Sequence, residues 1–225
     1  MMQDHRAELE WRDGGVPVSK RFDDPYFSLD NGLAETRHVF LEGNGISARL
    51  CDGLHIAELG FGTGLNLLTT VLAWQVSGAD SPLHFTSFEA FPMAQDDIAK
   101  ALSSFPELHA IAPQFVKALQ WDTPFEVVPG VTAHVIVGDA RQTLPEWHGK
   151  ADAWYLDGFS PAKNPELWSP ELMGDVGRHT VSNGTVATYT AAGFVRRGLE
   201  DAGFDVTRIK GFGRKRHMTV GAMVK

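Results

Sequence analysis

The sequence predicts an α/β fold built on one open sheet, and three observations predict it. Apolar runs of strand length alternate with runs of helical spacing after residue 50. The run His55-Ile-Ala-Glu-Leu59 passes through glycines at 60, 62 and 64 into a helix that opens at Leu65. A second run, Asp152-Ala-Trp-Tyr-Leu156, ends at Asp157 in a loop punctuated by glycine and proline, just beyond a strand's carboxyl end, where such sheets do chemistry.

At 225 residues the chain is long enough for one such domain with a full core and too short for two. Hydrophobic residues at 43% and charged residues at 21% exclude a disordered chain. No apolar run reaches the length of a membrane span, and Met-Met-Gln-Asp-His-Arg at the N-terminus lacks a signal peptide's apolar segment, so no membrane contact and a cytoplasmic location are expected. Cys51 is the single cysteine, which excludes an internal disulfide and leaves it as structural filler. The nine histidines show no metal-ligand spacing, so no metal is expected. A net charge of −8 opposes broad electrostatic binding to nucleic acid; such a contact needs a local basic patch. No obligate protein partner is evident.

Taken in order, residues 1–50 read as an N-terminal extension packed on the core. Trp11 and Val16–Ser19 flank Asp13-Gly-Gly15, a hairpin signal. Asp24–Phe27 is extended, because Pro25 biases its neighbour away from helix. Asn31–Leu41 has helical spacing and stops at Gly43-Asn-Gly45. Such an extension either covers a ligand site or packs only.

The glycine turn carries the chemistry. Gly60, Gly62 and Gly64 permit backbone turns closed to other residues and let a ligand approach with no Cβ in the way. A dinucleotide fingerprint keeps two residues between its second and third glycines, so that a pyrophosphate sits on the helix N-terminus; here only Thr63 intervenes. Glu58 at the strand's end would repel a pyrophosphate and accept hydrogen bonds from a cationic amino-acid group. The pattern resembles the first motif of class I S-adenosylmethionine methyltransferases, Glu/Asp-x-Gly-x-Gly-x-Gly, and assigns Glu58, Gly60, Phe61, Gly62, Thr63, Gly64 and Asn66 to the cofactor.

Beyond it, Leu65–Trp74 is a helix and Leu83–Glu89 a strand ending in an acid at the position that pairs with ribose hydroxyls, a task a carboxylate suits because it accepts from both. The other role for Glu89 is a surface acid. Pro92–Leu102 reads as a helix and the following stretch, through Pro124, as a loose proline-punctuated segment. Phe125–Val128 and Val131–Val137 are strands; Asp139 and Ala140 then fall where this methyltransferase class contacts adenine, and Asp139 also suits a helix cap. After Asp157, Glu166–His179 should be helical, Thr185–Tyr189 a strand, Phe194–Ala202 a helix, and Val206–Lys210 and Met218–Val224 the closing strands.

Asp157-Gly-Phe-Ser-Pro-Ala-Lys-Asn-Pro165, the glycine turn, Ala192–Phe204 and Lys210-Gly-Phe-Gly-Arg-Lys-Arg216, with Pro25–Ser28, Asn31–Arg37 and Val39–Leu41, together resemble one family over nearly the whole chain. It is the methyltransferase part of MnmC, the tRNA 5-methylaminomethyl-2-thiouridine biosynthesis enzyme. The resemblance implies a Rossmann-like class I methyltransferase sheet with an antiparallel last strand over residues 51–225. It further implies methyl transfer from S-adenosylmethionine to the amine of 5-aminomethyl-2-thiouridine at the tRNA wobble position, with the anticodon loop as partner. Bifunctional members continue into a flavin-dependent oxidase; this chain ends at Lys225, so a standalone enzyme without flavin is expected.

In this reading Asp157 is the catalytic residue, also beside the cofactor. It orients the substrate amine with a carboxyl of ordinary pKa, while the loop carrying Phe159, Pro161, Lys163 and Asn164 walls the base pocket. Arg214, Lys215 and Arg216 concentrate positive charge in one glycine-flanked loop of an acidic chain and would contact tRNA phosphates. Two other readings stay open: an amino-group methyltransferase acting on DNA or protein, and a non-catalytic adenosyl-binding module. Asp157 and its proline-rich loop argue against the second of these.

Overall fold

The computed structural model describes residues 6–28, 31–50 and 53–224. Cys51 and the first five residues, both interpreted above, lie outside the described residues. The N-terminal stretch forms a small antiparallel sheet of β1 (Leu9–Arg12), β2 (Val16–Ser19) and β3 (Asp24–Pro25). Its hairpin turns where expected, through Gly14 and Gly15, whose φ values of 80° and 75° suit glycine.

Helix α1 (Gly32–Thr36) is capped by Asn31, whose side-chain oxygen accepts from the Ala34 amide. It widens into a π-helical run, Arg37–Glu42, that stops at Gly43 as the sequence suggests. Val16, Phe27, Leu33, Val39, Phe40 and Leu41 pack in one apolar cluster with residues of the central sheet, so the extension shares the main core.

The central sheet has the order β10-β11-β9-β8-β4-β5-β7-β6. Strands β4 (Leu54–Leu59), β5 (Leu83–Glu89), β7 (Val131–Val137), β8 (Ala151–Leu156) and β9 (Thr180–Thr188) run parallel. The short β6 (Phe125–Val128) is antiparallel at one edge. At the other, the last strand β11 (Met218–Met223) inserts antiparallel between β9 and β10 (Phe204–Ile209), as the resemblance implies. Strand order reverses between β4 and β8, so the connections leaving their carboxyl ends cross to opposite faces of the sheet and leave a crevice there.

Helices α2 (Leu65–Ser77), α3 (Gln95–Leu102) and α4 (Ala112–Ala118) pack on the face shared with the extension. Helices α5 (Ala140–Glu146), α6 (Pro170–Arg178) and α7 (Gly193–Asp201) cover the other, around Trp154, Leu156 and Leu172.

Four local expectations need correction. The segment before Pro124 is not loose: Pro113 sits in the first turn of α4, where its missing N–H costs no bond, and Phe115 is buried. Glu166–His179 is not one helix, because Pro170 forces Ser169 into an extended conformation. Ser169 then caps α6, and a separate 3₁₀ turn, Pro165–Trp168, precedes it. Helix α3 starts at Gln95 rather than Pro92, since Ala94 is still extended. Strand β9 begins at Thr180 instead of Thr185; it pairs with β8 through a register shift, with Asn183 at φ 60°.

Candidate active site

A cleft of about 1420 Å³ opens at the carboxyl ends of β4, β5, β7 and β8. Its lining includes Gly60, Phe61, Gly62, Thr63 and Asn66 from the glycine turn, Glu89, Asp139, Ala140 and Asp157. The glycine turn is left-handed at each predicted glycine, with φ values of 86°, 54° and 76° at Gly60, Gly62 and Gly64. A Cβ at Gly60 would lie 2.5 Å from the Asp157 carbonyl oxygen, so the close approach of β4 to β8 requires glycine there. Gly64 lies beneath the cleft against Phe115 and Phe61 rather than in its wall.

Glu89 holds the turn in place. Its two carboxylate oxygens accept from the Gly62 amide at 2.9 Å and the Phe91 amide at 2.8 Å. The Phe61 and Ala90 amides also face this carboxylate, and the residue is 9% exposed at the cleft. Burial raises its pKa, and the backbone amides around it oppose that shift. Asp139 caps α5 through the Arg141 amide and pairs with the Arg141 guanidinium, which lowers its pKa.

Glu58 departs from expectation. Its side chain is fully buried one layer beneath the cleft and does not line it. Its oxygens accept from Asn66 Nδ2 at 2.8 Å and Ser87 Oγ at 2.7 Å, while burial raises its pKa well above the usual range. Asn66, which lines the cleft, is the side chain that links buried Glu58 to it. The same Nδ2 donates to Asp157 Oδ2 at 2.8 Å, and Asn66 Oδ1 accepts from Thr36 of the extension. The other Asp157 oxygen accepts from the Gly158 amide. Contrary to the ordinary pKa expected, burial pushes Asp157 up to about 6, against the pull of the Asn66 bond.

The loop after β8 lines the cleft through Gly158, Phe159, Ser160, Lys163, Asn164 and Pro165. Pro161, expected in this wall, does not reach it. The extension is the neighbour that the sequence left undecided, and it covers the cleft as well as packing. Phe22 stacks on Phe159 with centroids 4.7 Å apart, and Tyr26 meets Phe159 edge-on. Asp24 accepts from the Ser160 amide at 2.8 Å, and Lys163 pairs with Asp23 and Asp24. These contacts tie loop and extension into one aromatic wall.

The basic loop divides. Lys215 lines the cleft, its Nζ 2.6 Å from Glu35 Oε1 and 4.5 Å from the Tyr189 ring centroid, whereas Arg214 and Arg216 are exposed outside it. Glu35 and Tyr189 were missed by the sequence reading. Glu35 reads as a helix-surface acid, and Tyr189 as the end of a strand; only the fold brings them to Asp157. Among the described residues no acid, histidine and cysteine group could hold a metal, and no helix is long and apolar enough to cross a membrane.

Residues 105–224 match a family model described as S-adenosyl-L-methionine-dependent methyltransferase. The chain is 44% identical to the tRNA 5-methylaminomethyl-2-thiouridine biosynthesis bifunctional protein MnmC of Aeromonas salmonicida, covering 98% of this chain and 36% of that protein. It is 45% identical to the MnmC protein of Ectopseudomonas mendocina over 98% of this chain and 35% of that one. The chain thus spans about a third of the length of these curated relatives. The crystal structure of MNMC2 from Aquifex aeolicus superposes with a TM-score of 0.79 at 26% identity, covering 97% of this chain and 70% of that chain. A precorrin-6y C5,15-methyltransferase from Geobacter metallireducens, at 14% identity and TM-score 0.52, shares the fold over 95% of this chain and 98% of that one. With the sheet order, the glycine turn and the acids at three strand ends, these matches place the chain in the S-adenosylmethionine-dependent methyltransferase family formed by the methyltransferase part of MnmC.

Proposed function

We propose that this chain methylates the primary amine of 5-aminomethyl-2-thiouridine at the wobble position of tRNA, giving 5-methylaminomethyl-2-thiouridine, in the cytoplasm. The observation that carries this reading is Asp157 at the end of β8, held from both sides and opening onto the same cleft as Glu89. The names of the relatives supply the substrate class.

The residues fit S-adenosylmethionine. The carboxylate of Glu89 lines the cleft and suits two vicinal hydroxyls, the glycine turn leaves room for the amino-acid end, and Asp139 with Ala140 flanks the adenine side. The bound cofactor supplies an electrophilic methyl group, which an amine nitrogen takes with its lone pair as the carbon–sulfur bond returns its electrons to sulfur.

What the chain contributes is position and charge. An alkylamine has a reference pKa of about 10.4, so near neutral pH it must shed a proton before it can attack. Asp157, with its carboxyl near 6, is largely ionised at neutral pH and accepts a hydrogen bond from the amine. It orients the nitrogen and offsets the positive charge that develops there. Phe22, Tyr26 and Phe159 supply flat apolar surface for a base and reduce water around the amine, which lowers the amine's own pKa. Transfer of labelled methyl from S-adenosylmethionine to bulk tRNA, DNA and protein tests the proposal. Label in tRNA alone is the expected result, and label in DNA or protein, or in none, overturns it.

A further inference from the structure

Lys215 reaches back from the loop between β10 and β11 into the cleft, where its ammonium sits on the Glu35 carboxylate and against the face of Tyr189. A carboxylate beside an aromatic face is a binding site for an alkylammonium ion, since both attract the same charge and the ring tolerates the attached methylenes. The parts are fixed by the fold. The Glu35 side chain is only 14% exposed, on α1. The Tyr189 hydroxyl donates to the Gly158 carbonyl at 2.8 Å, which aims the ring and ties it to the residue after Asp157. The Lys215 side chain, by contrast, is about half exposed and stands on a turn containing Gly213 at φ 56°.

We propose that Glu35 and the Tyr189 ring form an alkylammonium subsite that first receives the protonated amine of the substrate, before it gives up its proton and turns to Asp157, with Lys215 as an internal occupant that the substrate displaces. This rests on the function proposed above. The amine is chemically what Lys215 already presents, a primary ammonium on a flexible carbon stem. Lys163, the other lysine of the cleft, does not suit the role: it is bound by Asp23 and Asp24 together and fastens the loop to the extension. Displaced from Glu35, Lys215 swings out into solvent beside Arg214 and Arg216. A wobble uridine without the amine leaves Lys215 where it is.

The test uses two anticodon stem-loops that differ only in the wobble base, one with 5-aminomethyl-2-thiouridine and one with 2-thiouridine. Affinities for both are measured at several salt concentrations with the wild type, Glu35→Gln and Lys215→Met, alongside melting temperatures. The wild type should prefer the amine-bearing RNA. Glu35→Gln should lose that preference by on the order of tenfold, and Lys215→Met, freed of its internal competitor, should increase it. An ion pair that is structural only would make the two variants change together, so opposite signs are the signature. An unchanged preference in Glu35→Gln overturns the subsite, as does a Lys215→Met variant that weakens both RNAs equally with a flatter salt slope. Wild-type enzyme that methylates neither RNA overturns the proposed function and the subsite with it. Unchanged preference alongside intact methyl transfer overturns the subsite alone.

Discussion

Asn66 Nδ2 stands 2.8 Å from Asp157 Oδ2, and it reaches that position from the first turn of α2, just after the glycine turn. The same nitrogen is held by buried Glu58, so the strand-end acids of β4 and β8 meet through one amide. This bridge joins the glycine-turn side of the cleft to the side walled by the loop after β8, and its consequences can be measured.

Asn66→Ala removes the donor from both carboxylates. About 1–3 kcal/mol of stability should be lost, the usual cost of leaving buried polar groups unsatisfied. The pKa of Asp157 should rise further, because the Asn66 bond opposes the effect of burial. Chemical denaturation and carboxyl titration by NMR would check both. Unchanged stability would mean that the bridge is replaced by water.

Asp157 gives a pH signature of its own. In the folded protein its carboxyl protonates near 6, against an ordinary 3.8 in the unfolded chain, so the folded state binds more protons between those values. Stability contributed by this residue therefore falls as pH rises through that window. The Asp157→Asn variant should gain on the wild type by about 1–3 kcal/mol between roughly pH 4 and pH 7, whatever its starting value. Melts across that range would reveal the slope, and parallel curves would contradict the assigned pKa.

The glycine turn separates into positions of unequal tolerance. Gly60→Ala forces a Cβ against the Asp157 backbone, whereas at Gly62 the neighbour is the side-chain ring of Tyr26 at 3.1 Å. Both carry left-handed strain of order 1–3 kcal/mol, but only at Gly60 must a second strand move. Calorimetric titration should show Gly60→Ala losing more affinity for S-adenosylmethionine than Gly62→Ala, and the reverse order would contradict this geometry.

Arg214 and Arg216 stay exposed outside the cleft, and the proposed tRNA phosphate contacts of the basic loop rest on them. Replacing both with alanine should weaken tRNA binding and reduce the log-log salt slope by roughly 1.4, for two single-strand contacts. Affinity for S-adenosylmethionine should be unaffected. An unaltered slope would remove the loop from the RNA interface.

Much of this architecture is legible in the sequence because its signals are local. The glycine turn announces β4 and α2, and Glu89 and Asp157 stand at strand ends that the apolar runs locate. Proline misled the reading in opposite directions. Pro113 lies inside a helix because its first turn needs no N–H, while Pro170 breaks one because the residue before it cannot be helical. Burial decided what local pattern could not. Glu58 stands at the expected place but points beneath the cleft, and Asp157 has a raised pKa chiefly because the fold desolvates it. Glu35, Tyr189 and the reversal of Lys215 depend on the extension, the sheet and the last hairpin meeting, which no spacing within the chain encodes.

The most direct measurement is a single-turnover methyl transfer with one tRNA prepared in two forms, its wobble base carrying either the primary aminomethyl group or no side chain. Wild-type enzyme should label the aminomethyl form on the wobble nucleoside and leave the other unlabelled. Asp157→Ala should lose on the order of 10²-fold in rate while still binding S-adenosylmethionine, as misplaced reactants do. Equal labelling of both forms, or an Asp157→Ala rate equal to that of the wild type, would contradict amine methylation at this cleft.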